Sequence, residues 1–159
     1  MVETRWRNIL EHYYLPGSRA YDLLLSHGKR VAEKALFFAD NVSHLNPDGE
    51  FIEEAAMLHD IGIFFTDSPE LGCYGKHPYI QHGVLGRNLL EKHNLHRHAL
   101  VCERHVGVGL TVEDIRQQRL PLPERDMTPK SLEEELICFA DKFFSKRLPS
   151  GHEWSVQDI

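Results

Sequence analysis

The sequence is poor in the features that place a chain in a membrane, in a disulfide framework or along a polynucleotide. No apolar run is long enough to span a bilayer, so no membrane partner is expected. Basic residues are outnumbered, 18 Lys and Arg against 24 Asp and Glu, for a net charge of -6; general nucleic-acid binding is therefore not expected. Cysteine is scarce: Cys73, Cys102 and Cys138 are odd in number and form no CxxC pair, as befits free thiols in a reducing compartment. The N-terminal stretch MVETRWRNILEHYYLPG lacks the apolar centre and small-residue cleavage site of a signal peptide. A cytoplasmic location is the resulting expectation. Repeats and low-complexity tracts are missing, and nowhere does apolar/polar alternation persist long enough to mark a strand. What the 159 residues do contain is 42% hydrophobic content, enough for one domain with a real core, and eleven histidines.

Helical spacing runs through most of the chain. Trp6, Ile9, Leu10 and Tyr13 share one face of a helix over Arg5 to Leu15, which Pro16-Gly17 breaks. Ser18 caps a helix reaching about Asn41, with Leu23, Leu24, His27, Val31, Ala35 and Phe38 as its stripe. Asn46-Pro47-Asp48-Gly49 is a turn, and the central helix FIEEAAMLHDIG follows, with Gly62 in the place of a C-terminal helix glycine. Phe65 to Pro78 carries Pro69, Gly72, Gly75 and Pro78 and reads as a long loop, which in a small domain is more often functional than idle. Further helices are expected over Ile80 to Lys92, Asn94 to Val106 and, capped by Thr111, Val112 to Gln118. After the irregular stretch around Pro121, Pro123 and Pro129, Ser131 with Glu134 forms a capping-box signature for a last helix through Phe144. The fold class is all-α: a single helical bundle of six or seven helices over residues 1–148, with a polar, frayed tail over 149–159.

Six polar residues sit on or beside these inward stripes. His59 lies four residues after Ala55 and Asp60 four after Ala56; His27 lies between Leu24 and Val31; His82 precedes Leu85 and Leu89; His105 follows Val101; Asp141 follows Ile137. Each alone reads as a satisfied core histidine or a helix-end aspartate. Jointly they need a common cause, and neutral imidazoles with carboxylates around a hard or borderline metal ion supply one. His12, His44, His93, His96, His98 and His152 fit polar faces or turns and are read as surface residues.

The order His27, then His59-Asp60 inside LHDIG, then Asp141 inside FADKF resembles the HD-domain (HDIG-type) family of metal-dependent phosphohydrolases. His82 in HGVLG and His105 in ERHVG resemble the extra histidines of the branch that binds two metals. The resemblance runs from about Tyr21 to Phe144 and is marked towards small HDIG-type proteins with ERHxG, a proline-rich spacer and a final ADK or ADN helix. The chain is also similar to bacterial HD hydrolases of dinucleoside polyphosphates, but Phe64 to Tyr79 and FADKFF depart from that group, so its substrate is not carried over. The resemblance implies a first metal on His27, His59, Asp60 and Asp141, and a second on Asp60, His82 and His105. One or two divalent ions are expected, with Fe, Mn, Co, Ni, Zn and Mg all compatible. Two such ions would acidify a water between them and neutralise phosphate oxygens. The expected partner is a small phosphorylated substrate of the nucleotide class. Catalytic roles are assigned to Asp60 and, in the loop, to Lys76 and His77; Arg104, Lys142, Lys29 and Arg30 are further phosphate candidates. A di-iron oxygenase and a non-catalytic metal-stabilised nucleotide sensor fit the same ligands. Oligomeric state is left open.

Overall fold

The computed structural model describes residues 2–147 and 152–159, and side chains from residue 5 onward. Among them are seven α-helices: α1 (Val2–Tyr13), α2 (Arg19–Asn41), α3 (Gly49–Leu58), α4 (His82–Lys92), α5 (His96–Arg104), α6 (Val112–Gln117) and α7 (Leu132–Asp141). The starts follow from capping chemistry. Ser18, Asp48, Thr111 and Ser131 each accept a hydrogen bond from a backbone N–H in the first turn of the helix they precede. Only half of the capping box expected at Ser131 forms. Its hydroxyl accepts from Glu134 N at 3.1 Å, but the Glu134 carboxylate bonds Lys130 N and Arg104 instead.

The helix α3 runs through the centre. Phe51, Ile52 and all of Ala55 to Leu58 are buried, so no face of its second half meets water. Helices α2, α1, α5 and α7 pack around it, and α4 lies along α5. The core joins Leu10, Val31, Ile52, Leu58, Ile61, Leu90 and Ile137, each fully buried. All three cysteines are buried free thiols. No helix among the described residues is long and apolar enough to cross a membrane.

The segment after α3 differs from the sequence reading. Its helix stops at Leu58 and tightens into a 3-10 turn, Ile61–Phe65, that contains Gly62. Gly62 is not a left-handed cap; its φ is not positive. A Cβ there would stand 2.0 Å from His82 O and 2.4 Å from Gly86 N. The glycine is thus what lets α4 come against the turn that follows Asp60.

Phe65 to Pro78 is also more ordered than a loop. Two antiparallel strands, β1 (Asp67–Ser68) and β2 (Cys73–Tyr74), pair in register Asp67 with Tyr74 and Ser68 with Cys73. A 3-10 turn over Pro69–Leu71 joins them, with Gly72 at φ +78°. Strands of two residues are too short to show alternation, which is why the sequence conceals them.

Leu148 to Gly151, where the boundary between domain and tail was drawn, lie outside the described residues. His152 to Ile159 is tethered rather than frayed: Trp154 N donates to Phe143 O at 2.8 Å, and α2 holds the segment through Arg30 to His152 O and Lys34 to Glu153.

Candidate metal centre

Asp60 caps the turn after α3 and is buried, 3% exposed, between two sets of imidazoles. Its Oδ2 lies 3.3 Å from His27 Nε2 on α2 and 3.1 Å from His59 Nε2. Asp141, at the end of α7, closes this side, with Oδ1 at 2.8 Å from His27 Nε2 and 3.3 Å from His59 Nε2. The other oxygen, Asp60 Oδ1, faces His82 Nε2 at 3.4 Å and His105 Nε2 at 3.2 Å. These two nitrogens are 3.2 Å apart. The six residues singled out in the sequence thus converge, and His82 and His105 stand across Asp60 from His27.

The backbone fixes which ring nitrogen points inward. His59 Nδ1, His82 Nδ1 and His105 Nδ1 each donate to the carbonyl three residues back, on Ala56, Tyr79 and Cys102, at 2.6, 2.7 and 2.7 Å. With Nδ1 committed as donor, Nε2 of each neutral ring presents a lone pair to the centre. Two lone pairs facing each other at 3.2 Å are unfavourable unless a cation lies between them. Asp60 Oδ1 points at the same spot and is buried without a well-formed hydrogen bond, a costly arrangement for a charged oxygen.

Both sides fit a divalent ion. Ligand atoms about 2.0–2.2 Å from one ion are roughly 2.9–3.5 Å from each other, close to the 2.8 to 3.4 Å found here. His27, His59, Asp60 and Asp141 form one such group; Asp60, His82 and His105 form the other. Nitrogen and oxygen donors without thiolate suit Fe, Mn, Co, Ni or Zn, and the carboxylates extend the range towards Mg.

Electrostatics without metal favour a proton in the first group. Burial opposes a charge on His59, but Asp60 and Asp141 outweigh it and hold the imidazolium up to about 10. Burial alone would raise the Asp60 and Asp141 carboxyls. For Asp60, His59 and Lys146 reverse this, and for Asp141, His27 and His59 do; both are held well below the usual range. In the second group burial pushes His105 down to about 4 despite Asp60 beside it. A metal entering the first group must therefore displace the His59 proton. At pH 7 metal binding to chelator-treated protein should release about one proton at that group. Apparent affinity should rise with pH until His59 deprotonates near 10. Calorimetry in buffers of different ionisation enthalpy measures this release; the same heat in every buffer contradicts it. The sign for folding without metal is the reverse. The raised His59 stabilises fully below about 6.5, and that contribution is lost as pH climbs through 10.

The remaining sequence candidates fall elsewhere. Lys76 and His77 are exposed, and no described contact joins them to the cluster; His77 Nδ1 instead pairs with Gln81 Oε1 at 2.9 Å. Both line a cavity of about 570 Å³ walled by Tyr13, Tyr14, Phe64 and Tyr74. Arg104 is bound bidentately by Glu134, Arg30 by the tail, and Lys29 is exposed on α2. Lys142 does reach the centre, its Nζ 3.1 Å from His105 O and 3.3 Å from Asp141 Oδ2. His98, read as a surface residue, is buried against Phe51 and 2.8 Å from Glu54 Oε1. The sequence reading missed Lys146, whose Nζ donates to Asp60 Oδ2 at 2.7 Å.

A family model for the HD domain matches residues 24–145. A tRNA (cytidine(56)-2'-O)-methyltransferase of Picrophilus torridus is 32% identical over 132 residues, covering 82% of this chain and 34% of that protein. The protein of the same description from Thermoplasma volcanium is 30% identical, over 81% of this chain and 34% of its own length. An uncharacterized protein of Methanocaldococcus jannaschii is 31% identical over 161 residues, 91% of this chain and 80% of the relative. The chain spans about a third of the length of the two methyltransferases. No solved structure is significantly similar to it. Since the matched region encloses every ligand-type residue of both groups, from His27 to Asp141, the chain belongs to the HD domain family.

Proposed function

We propose that the protein is a metal-dependent phosphohydrolase acting on a small nucleotide or related phosphoester. The observation that carries the reading is the division of Asp60, one oxygen towards His27 and His59 and the other towards His82 and His105. Divalent ions held there would supply Lewis acidity, acidifying water and neutralising phosphate oxygens. The chain's own part is orientation and exclusion. Asp60 joins the two groups of donors. The backbone carbonyls of Ala56, Tyr79 and Cys102 keep three imidazoles in the tautomer that leaves Nε2 free to bind. The buried surroundings strengthen every charge interaction inside them.

In this reading Lys76 and His77 act at the substrate entrance and not at the reacting phosphorus. They line the aromatic cavity on the segment that follows Asp60, and Tyr14, in its wall, donates to Ile61 O at 2.9 Å. Rings there suit a planar base, and the two side chains an anionic group. The similarity to proteins described as tRNA methyltransferases supports including RNA-derived nucleotides among the substrates tested.

The test is turnover of a nucleotide panel by metal-loaded protein in oxygen-18 water. Label in the released phosphate or nucleotide phosphate is the expected result. Oxygen-dependent turnover without such label would favour a di-iron oxygenase. Fully loaded protein that turns over no phosphoester would favour a nucleotide sensor.

A further inference from the structure

Two polar side chains from outside the α-helices border the cluster, Lys146 against Asp60 and Tyr79 against His82. Lys146 follows Asp141 by five residues, after α7 has ended, and its side chain is only 12% exposed with Nζ on Asp60 Oδ2. Tyr79 opens the 3-10 turn that leads into α4. Its ring lies 4.5 Å from that of His82, and its phenol adjoins the Lys146 ammonium. A phenol is a hydrogen-bond donor at neutral pH without any help from its surroundings.

A buried ammonium needs a compensating charge. Asp60 supplies it for as long as its oxygens have no stronger partner. Divalent ions held by Asp60 and Asp141 would neutralise both carboxylates, leaving the Lys146 ammonium without its counter-charge in a centre of net positive charge. That ammonium and the neighbouring phenol then offer hydrogen-bond donors at one edge of a cationic, water-poor centre. That is the chemistry of an oxyanion site.

We propose that Lys146 and Tyr79 form the phosphate-binding edge of the metal centre, the ammonium and the phenol each donating to a phosphate oxygen of substrate or product. The proposal rests on the phosphohydrolase reading and adds the residues that seat the anion.

The probe is inorganic phosphate, titrated calorimetrically into the Mn-loaded full chain. Phosphate should bind the parent. Lys146→Met should weaken it about tenfold or more, the effect of losing a hydrogen bond to a charged group, while metal content stays unchanged. Tyr79→Phe should weaken it severalfold, and Lys146→Arg should keep most of the affinity. Should Lys146→Met fail to fold, the Tyr79→Phe and Lys146→Arg pair decides alone. A parent that binds phosphate and variants that bind it equally well would overturn the proposal and leave the phosphohydrolase reading standing. Tighter metal binding by Lys146→Met, with phosphate affinity unchanged, would likewise overturn it and make Lys146 a competitor of the metal. A metal-loaded parent with no affinity for phosphate would count against the phosphohydrolase reading itself.

Discussion

Asp60→Ala should give a folded, helical protein that no longer retains divalent metal through dialysis and turns phosphoesters over at least about a thousandfold more slowly, roughly 4 kcal/mol of lost transition-state stabilisation. The size of the effect follows from geometry. Every other residue of the cluster serves one group of donors, whereas Asp60 serves both. Its removal also takes away the carboxylate that Lys146 donates to and leaves Asp141 as the one acid of a cluster of four imidazoles. Asp60→Asn keeps the volume and removes the charge, and should lose metal in the same way. Elemental analysis alongside circular dichroism separates loss of metal from loss of fold. Full metal content in either variant would mean that the ions bind elsewhere.

The second large effect is on stability. Gly62→Ala should lower it by about 3 kcal/mol or more, because the added methyl has no room and overpacking of a tight contact is destabilising. For a chain of this size that is a fall of roughly 6–12 °C in melting temperature. The atoms it would strike, His82 O and Gly86 N, are backbone of α4 and cannot rotate away. Relief requires α4 to retreat, and α4 carries His82. The second group of donors should therefore weaken more than the first, with metal stoichiometry falling before all metal is lost. A Gly62→Ala protein that melts with the parent would contradict the close approach of the two segments.

Gly62 also marks where the sequence misleads. Its place after an apolar stripe is that of a helix cap, and only the packing of α4 reveals that the position answers to a neighbour far along the chain. The six residues of the cluster were legible because each lies at helical spacing from apolar residues, so inward direction could be read locally. Lys146 and Tyr79 were not, since neither belongs to an α-helix and no periodicity reports where they point. His98 escaped for another reason. Its compensating partner is Glu54 on α3, itself 3% exposed, and a buried pair drawn from two helices looks like two surface residues until the helices meet. The small hairpin of β1 and β2 left no pattern at all, because its pairing depends on turn geometry around Gly72 and not on alternation.

If ions bind as proposed, Asp60 joins the two groups of donors. Anomalous diffraction from crystals of the protein loaded with Mn or Zn tests it most directly. Two peaks are predicted, one within about 2.0–2.6 Å of ligand atoms of His27, His59, Asp60 and Asp141, the other similarly close to Asp60, His82 and His105. Loaded crystals with no peak beside Asp60, or with peaks only at surface histidines such as His12 and His44, would contradict the account.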